Sequence, residues 1–296
     1  MSILVTGSTG TIGRQVVDRL AVQGASVHAL TRTPERARFP KGVVPVGGEM
    51  TDIASMRAAL ADVDTLFLLN AVVPDEVTQA LLTLALAGEA GIQRIVYFSV
   101  LNSELFTDVP HFTGKYTVER AIKQRNLGAT ILRPAYFFQN DLMFAEPLLQ
   151  HGVYPMPVGK VGVSMVDIRD IADVAAASLL RRERSATPLP REVIELTGPD
   201  ALTGAALATI WSEVLGRSVE YAGDDLAAFE TGMASRAPGW MAFDIRLMLA
   251  RFQHDGLLAK PGADDTMTGL LGRPARTYRD FARETAAMWS GQESSR

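Results

Sequence analysis

Through the first half of the chain, short apolar and β-branched runs alternate with longer amphipathic stretches. A parallel sheet covered by helices on both faces reads this way, because its strands are buried on two sides and its helices on one. Apolar runs stand out at residues 3–5, 27–30, 66–69, 95–98 and 129–132, with a weaker pair, Val43 and Val44, between the second and third. Helical periodicity occupies residues 12–23, 52–61, 76–90 and 113–125. Gly24, Gly91 and Gly128 stand just past three of these stretches, where glycine permits the left-handed turn back into a strand. The repeated strand–helix order, with right-handed crossovers, predicts an α/β fold built on a doubly wound parallel sheet.

Beyond Pro134 the pattern loosens, and Pro147, Pro155 and Pro157 interrupt what would otherwise be continuous elements. A helix is predicted over 167–182, a solvated connection over 184–191, a strand over 193–197 and a helix over 203–215. Residues 224–289 are mostly helical in periodicity, punctuated by Gly256, Pro261 and Pro274. Residues 1–150 are therefore read as the main domain. Residues 151–290 are read as a smaller, mainly helical C-terminal region with elements returning to the main sheet, and residues 291–296 as a frayed tail.

Composition narrows the function classes. The 296 residues are 47% hydrophobic and 21% charged, ordinary for a globular chain with a sizeable core. A formal charge of −4 lacks the positive footprint that neutralising a phosphate backbone requires, so direct nucleic-acid binding is disfavoured. With no cysteine, disulfides, thiolate metal sites and a cysteine nucleophile are excluded. The four histidines have no paired helical spacing, so no metal site is expected. The longest apolar runs, such as 66–69 and 175–180, fall far short of the roughly 18 residues that cross a bilayer. The chain reads as a strand directly after Met1, with no room for an export signal, and a cytoplasmic location without membrane association is expected.

The first run leads into Val5-Thr6-Gly7-Ser8-Thr9-Gly10-Thr11-Ile12-Gly13. Three glycines at three-residue intervals between a buried strand and a helix serve distinct ends. One allows the tight turn, the next lets backbone amides approach a pyrophosphate, and the last lets helix and strand pack. The helix N-terminus adds the positive end of its dipole. This is a dinucleotide-binding turn in a Rossmann-type fold, with Gly7, Ser8, Thr9, Gly10, Thr11, Ile12 and Gly13 as cofactor-binding residues. The Gly-Lys-Ser/Thr ending of an ATP-binding loop is missing, as is the Gly-x-Ser-x-Gly elbow of a serine hydrolase.

At the end of the second run stands Leu30-Thr31-Arg32-Thr33-Pro34. An acidic residue there would bond a ribose 2′-hydroxyl and repel a 2′-phosphate; Arg32 suits bidentate contact with that phosphate and selects NADP(H). Asp52 is placed by the adenine, with helix N-capping an equally good account. Asn70 and Ala71 end the strand at 66–69, where loops wall the cofactor crevice; strand termination by a turn-favouring asparagine is the alternative.

These residues, together with the strand from Arg94 to Ser99, His111-Phe112-x-Gly-Lys115 and Leu132-Arg133-Pro134-Ala135-Tyr136-Phe137-Phe138-Gln139-Asn140, resemble the NmrA-like branch of the atypical short-chain dehydrogenase/reductases. The resemblance covers residues 1–220 and is nearest to the NAD(P)H:quinone oxidoreductase and triphenylmethane reductase type. It implies an extended Rossmann fold, NADP(H) as cofactor and a substrate-binding C-terminal region. Lys115 is implied to hold the nicotinamide ribose. The usual short-chain pattern is Tyr-x-x-x-Lys, and here His111 takes the tyrosine's place. An imidazole can still donate a proton near neutral pH. Lys115, His111 and Ser99 are the catalytic candidates. Pro134 and Tyr136 are placed with the cofactor, and Phe137, Phe138 and Asn140 with the substrate; core packing and N-capping are the alternatives.

The expected function is an NADPH-dependent oxidoreductase passing hydride to a small conjugated acceptor such as a quinone. Two other readings stay open: a non-catalytic NADP(H) redox sensor of NmrA type with a protein partner, and a carbonyl or imine reductase, against which the missing tyrosine counts. A small-molecule substrate is the expected partner, with a homodimer left open.

Overall fold

A computed structural model of the chain describes residues 2–293, without the side chains of 292 and 293. In chain order the first elements are β1 (Ser2–Val5), α1 (Thr11–Val22), β2 (Ser26–Thr31), β3 (Val44–Gly47), α2 (Ile53–Leu60), β4 (Thr65–Leu68), α3 (Glu76–Glu89), β5 (Arg94–Phe98), α4 (Pro110–Gln124) and β6 (Ala129–Pro134). A 3₁₀ turn (Phe138–Phe144) and a π-helical turn (Pro147–His151) lead to β7 (Val153–Tyr154), α5 (Ile168–Arg184), β8 (Glu192–Leu196), α6 (Gly204–Leu215) and β9 (Glu220–Tyr221). Four helices finish the described chain: α7 (Leu226–Ala234), α8 (Gly239–Asp255), α9 (Ala263–Leu271) and α10 (Tyr278–Glu293).

The residues group into two compact units. The first comprises residues up to 104, 111–133 and 168–195 and contains a seven-stranded sheet in the order β3-β2-β1-β4-β5-β6-β8. Every pairing from β3 across to β6 is parallel, with Ser2 opposite Ser26, Leu66 opposite Ile95 and Tyr97 opposite Ile131. The chain starts at a central strand, winds outward to β3, then returns to build β4, β5 and β6, as doubly wound sheets do. Leu4, Leu66, Leu68, Ile95, Tyr97 and Ile131 meet Met56, Leu60, Leu84, Val118 and Ile122 of α2, α3 and α4 in one apolar cluster. Elsewhere in the unit α1 and α5 are tied by the Arg19–Asp173 ion pair.

The second unit comprises residues 105–110, 134–167 and 196 onward. Its core is aromatic. Trp211 stacks on Trp289 with centroids 5.3 Å apart, and Phe138 meets Tyr278 edge to face at 5.2 Å. Strands β7 and β9 pair in parallel as a separate two-stranded sheet.

Several expectations are corrected. Residues 134–150, read with the main domain, group with the second unit, and residues 168–195, beyond that boundary, group with the first. Helix α4 starts at Pro110 rather than at residue 113, because proline is favoured in a first helical turn, where its missing N–H costs nothing. After α4 the left-handed position is taken by Asn126, φ 51°. Gly128 instead permits a close approach: a Cβ there would lie 2.5 Å from the Leu189 carbonyl oxygen. Where a frayed tail is expected from residue 291, α10 continues to Glu293; residues 294–296 lie outside the described part. No described helix is long and apolar enough to cross a membrane.

Candidate dinucleotide site

Because β1 through β6 run parallel, the segments following their carboxyl ends emerge at one edge of the sheet, the edge where open α/β sheets bind ligands. Residues 7–13 follow β1, Arg32 follows β2, Asn70 and Ala71 follow β4 and Ser99 follows β5. The turn is built tightly. Gly7 has φ +60°, and a Cβ on it would sit 2.9 Å from the Leu69 carbonyl oxygen; at Gly13 a Cβ would sit 2.1 Å from the Gly7 carbonyl oxygen. Thr6 fixes the base of the turn, its hydroxyl donating to the Leu69 carbonyl at 2.9 Å and accepting from the Leu69 amide at 2.8 Å. Ile12 is buried against the unit, whereas Thr9, Gly10 and Thr11 are exposed.

Gly10 is the N-cap of α1 and no side chain caps that end. The first amides of any α-helix lack intrahelical acceptors and carry its positive dipole end. Ser8 is buried and its hydroxyl donates to the Leu30 carbonyl at 2.6 Å, so the turn is pinned to β2 close to Arg32. The Thr33 amide donates to the Thr31 hydroxyl at 3.3 Å and shapes the bend that carries Arg32. The Arg32 guanidinium is exposed and makes no ion pair among the described residues.

Asp52 is the N-cap of α2: its carboxylate accepts the Ser55 amide at 2.7 Å, and that bond holds it below the usual carboxylate range. Asn70 is buried. Its amide nitrogen reaches Gln79 Oε1 at 3.4 Å, and its Oδ1 has no partner among the described residues. Ala71 is exposed.

The catalytic candidates on β5 and α4 are less open than their sequence positions suggest. Phe112, Lys115, Val118, Glu119 and Ile122 form the buried face of α4. Lys115 is only 5% exposed, and its ammonium is in contact with the Glu76 carboxylate at the start of α3. The Ser99 hydroxyl is buried and donates to Glu119. Glu119 also receives Arg133 in a fork, at 3.0 and 2.6 Å, and Arg133 reaches on to Glu104 at 2.7 Å. Those two carboxylates hold the Arg133 guanidinium firmly charged against the opposing effect of burial. His111 lies in the first turn of α4, half-buried, with its ring edge to face with Phe112 at 4.7 Å.

In the second unit, Pro134 is buried at the end of β6 and Tyr136 is half-buried. Tyr136 shares a hydrogen bond with the Asn140 side chain; burial, then the Asp141 charge, push its phenol well above the ordinary value. Phe137 is half-buried, whereas Phe138 is 1% exposed and packs on Tyr278 and Phe281, so it is a core residue rather than one open to substrate. Asn140 lies inside the 3₁₀ turn, not at its cap. Sequence reasoning passed over Asp141, a fully buried carboxylate that accepts the Tyr154 hydroxyl at 2.8 Å and the Tyr278 hydroxyl at 2.5 Å. It also passed over Glu76, which reads along the chain as an ordinary acid at a helix start.

These residues fit a dinucleotide. The uncapped end of α1 and the side-chain-free surface at Gly10 suit a pyrophosphate, and the unpaired Arg32 guanidinium suits a further phosphate. The model of the NmrA-like family matches residues 1–254. An NAD(P)H azoreductase from Xenophilus azovorans is 33% identical over 292 residues, 96% of this chain and 98% of that protein. Among solved structures, an NADPH-dependent quinone oxidoreductase from Escherichia coli, complexed with NADPH, superposes with a TM-score of 0.84 at 23% identity, covering 96% of this chain and 99% of that one. A Citrobacter sp. triphenylmethane reductase complexed with NADP(H) gives 0.81 at 22% identity, over 97% and 100%.

Proposed function

The chain belongs to the NmrA-like family, and from that premise we propose that this NADPH-dependent oxidoreductase reduces small, planar, conjugated acceptors, with quinones the favoured class. One observation supports this most: the uncapped α1 terminus and the unpaired Arg32 are pinned together through the Ser8–Leu30 hydrogen bond. The turn amides at residues 8–13, apart from that of Gly10, which donates to the Gly7 carbonyl at 3.0 Å, would bind the pyrophosphate and Arg32 the 2′-phosphate, with Asn70 and Ala71 lining the cofactor and Asp52 serving as a helix cap close by. Once bound, the nicotinamide supplies the hydride. Lys115 would hold the nicotinamide ribose, Pro134 and Tyr136 would lie along the cofactor, and His111 would donate the proton that the reduced acceptor takes up. The Ser99 hydroxyl is committed to Glu119, so its role is to fix the end of β5 rather than to meet the acceptor. Phe137 and Asn140 are the remaining substrate candidates. An acceptor that needs little proton assistance suits a chain with histidine where tyrosine is usual. A cytoplasmic location is part of the same reading.

The decisive assay is NADPH oxidation against a panel of quinones, azo dyes and triphenylmethane dyes. Consumption is expected with at least one quinone, and Lys115→Ala should lower kcat/KM at least about tenfold, the scale of one lost charge-assisted hydrogen bond. Absence of turnover with every acceptor would overturn the assignment.

A further inference from the structure

Glu76 takes on a role of its own once Lys115 is read as the ribose anchor, the reading on which this inference rests. Lys115 and Glu76 are 5% and 6% exposed, and the ammonium and carboxylate are in contact. Burying such a pair is expensive. An apolar pair of the same volume is often as stable or more so, so packing alone gives no reason for the charges. The carboxylate is itself well anchored: Glu76 is the first residue of α3, where the helix dipole favours negative charge. It stands just beyond the loop that follows β4, at the ligand-binding edge of the sheet.

The other carboxylate on the buried face of α4 is committed elsewhere. Glu119 is held by both arms of Arg133 and by Ser99 and Ser103. Tyr97 completes the surroundings from β5, its hydroxyl donating to the Lys115 carbonyl at 3.4 Å. Burial, then the charges of Glu76 and Glu119, push its phenol well above its ordinary value, so Tyr97 stays neutral and does not compete as a counter-ion. The titratable groups on the buried face of α4 or packed against it are Glu119 on that face, Glu76 from α3 and Tyr97 from β5, with His111 one turn before Lys115 on the same helix.

We infer that Glu76 is a positioning residue: it supplies the buried counter-charge of the Lys115 ammonium and aims it, so that the lysine meets the cofactor already oriented. A buried amine deprived of its counter-ion favours the neutral form, which cannot serve as a three-donor cation.

NADPH affinity and kcat measured from about pH 7 to about pH 9 test this. Lys115→Ala should be impaired at every pH. Taken as a ratio to wild type at the same pH, which cancels the loss of the His111 proton common to both, Glu76→Gln should lie near one at the acid end and fall by up to about tenfold per pH unit toward the alkaline end. Glu76→Asp keeps the charge but draws it back by one methylene, so its profile should run parallel to wild type, with kcat lowered and NADPH affinity nearly kept. If Lys115→Ala is impaired but Glu76→Gln follows the wild-type profile, the inference about Glu76 fails and the role of Lys115 survives. If Lys115→Ala behaves as wild type, the anchor reading fails and takes the inference with it. Should Glu76→Gln not fold, wild-type kcat in Glu76→Asp overturns the proposal.

Discussion

At Gly13 an added Cβ would lie 2.1 Å from the Gly7 carbonyl oxygen, and at Gly10 one would lie 3.3 Å from the same atom. The first contact is with rigid backbone and far inside van der Waals distance, so α1 would have to move off the turn. The second needs a shift of a few tenths of an ångström at an exposed position. Gly13→Ala should therefore cost stability, on the order of 1–3 kcal/mol or more, and NADPH affinity with it. Gly10→Ala should cost less, about 1 kcal/mol at most, as alanine is a poorer N-cap than glycine, while weakening NADPH binding, since its methyl enters the surface where phosphate must approach. Equal stability losses in the two variants, measured by thermal denaturation, would contradict this division. Gly7, Gly10 and Gly13 were legible as candidates from their spacing between a strand and a helix, and Arg32 from its place after the second strand. Lys115 and Ser99 were legible as positions but not as environments: their partners, Glu76 and Glu119, lie 39 and 20 residues away along the chain, and no local pattern announces those pairings.

Asp141 shows the same limit at the scale of elements, since its carboxylate joins the 3₁₀ turn to β7 through Tyr154 and to α10 through Tyr278. Burial pushes this carboxyl up to about 7, outweighing the hydrogen bonds from Tyr278 and Tyr154, which act to lower it. The folded chain thus keeps a proton that the unfolded chain releases near pH 4. Stability from this group is greatest below about pH 4, falls as pH rises toward about 7, and stays at the lower level above it. Each tenfold difference in proton affinity between the folded and unfolded chain is worth about 1.4 kcal/mol, so the loss is on the order of a few kcal/mol. Asp141→Asn cannot ionise, so urea denaturation at about pH 5 and about pH 8 should show its stability rising relative to wild type with pH; a constant difference would refute the assignment. The elements themselves were readable wherever periodicity had length to act on, as in β1, β2, β4 to β6 and α1 to α3, whereas β3, read as the weak pair Val43 and Val44, spans Val44–Gly47. β7 and β9 have two residues each and lie 66 residues apart, too short for alternation to register. The prolines at 147, 155 and 157 correctly signalled interruption, but not that Pro147 would open a π-helical turn.

On the scale of the whole molecule, each compact unit is assembled from three stretches of chain, which is why no single boundary near residue 150 describes it. A ligand that binds only folded protein nevertheless raises the stability of whatever unfolds with its site, by about 2.7 kcal/mol at a hundred times its dissociation constant. For a chain of this size that corresponds to roughly 5 °C or more in Tm. The whole-chain charge of −4 offers an anionic dinucleotide no general attraction, so selectivity between the two dinucleotides has to come from local cations. Arg32 is the exposed guanidinium directly after β2, and a charge-assisted contact to phosphate contributes about 1.5–3 kcal/mol. NADPH should therefore raise Tm more than NADH at equal concentration. Arg32→Ala should reduce the NADPH shift to nearly that of NADH while leaving the NADH shift and the ligand-free Tm close to wild type. If the substitution lowers both shifts equally, Arg32 contributes general binding rather than recognition of the 2′-phosphate, and the choice of cofactor must be made by other residues at the sheet edge.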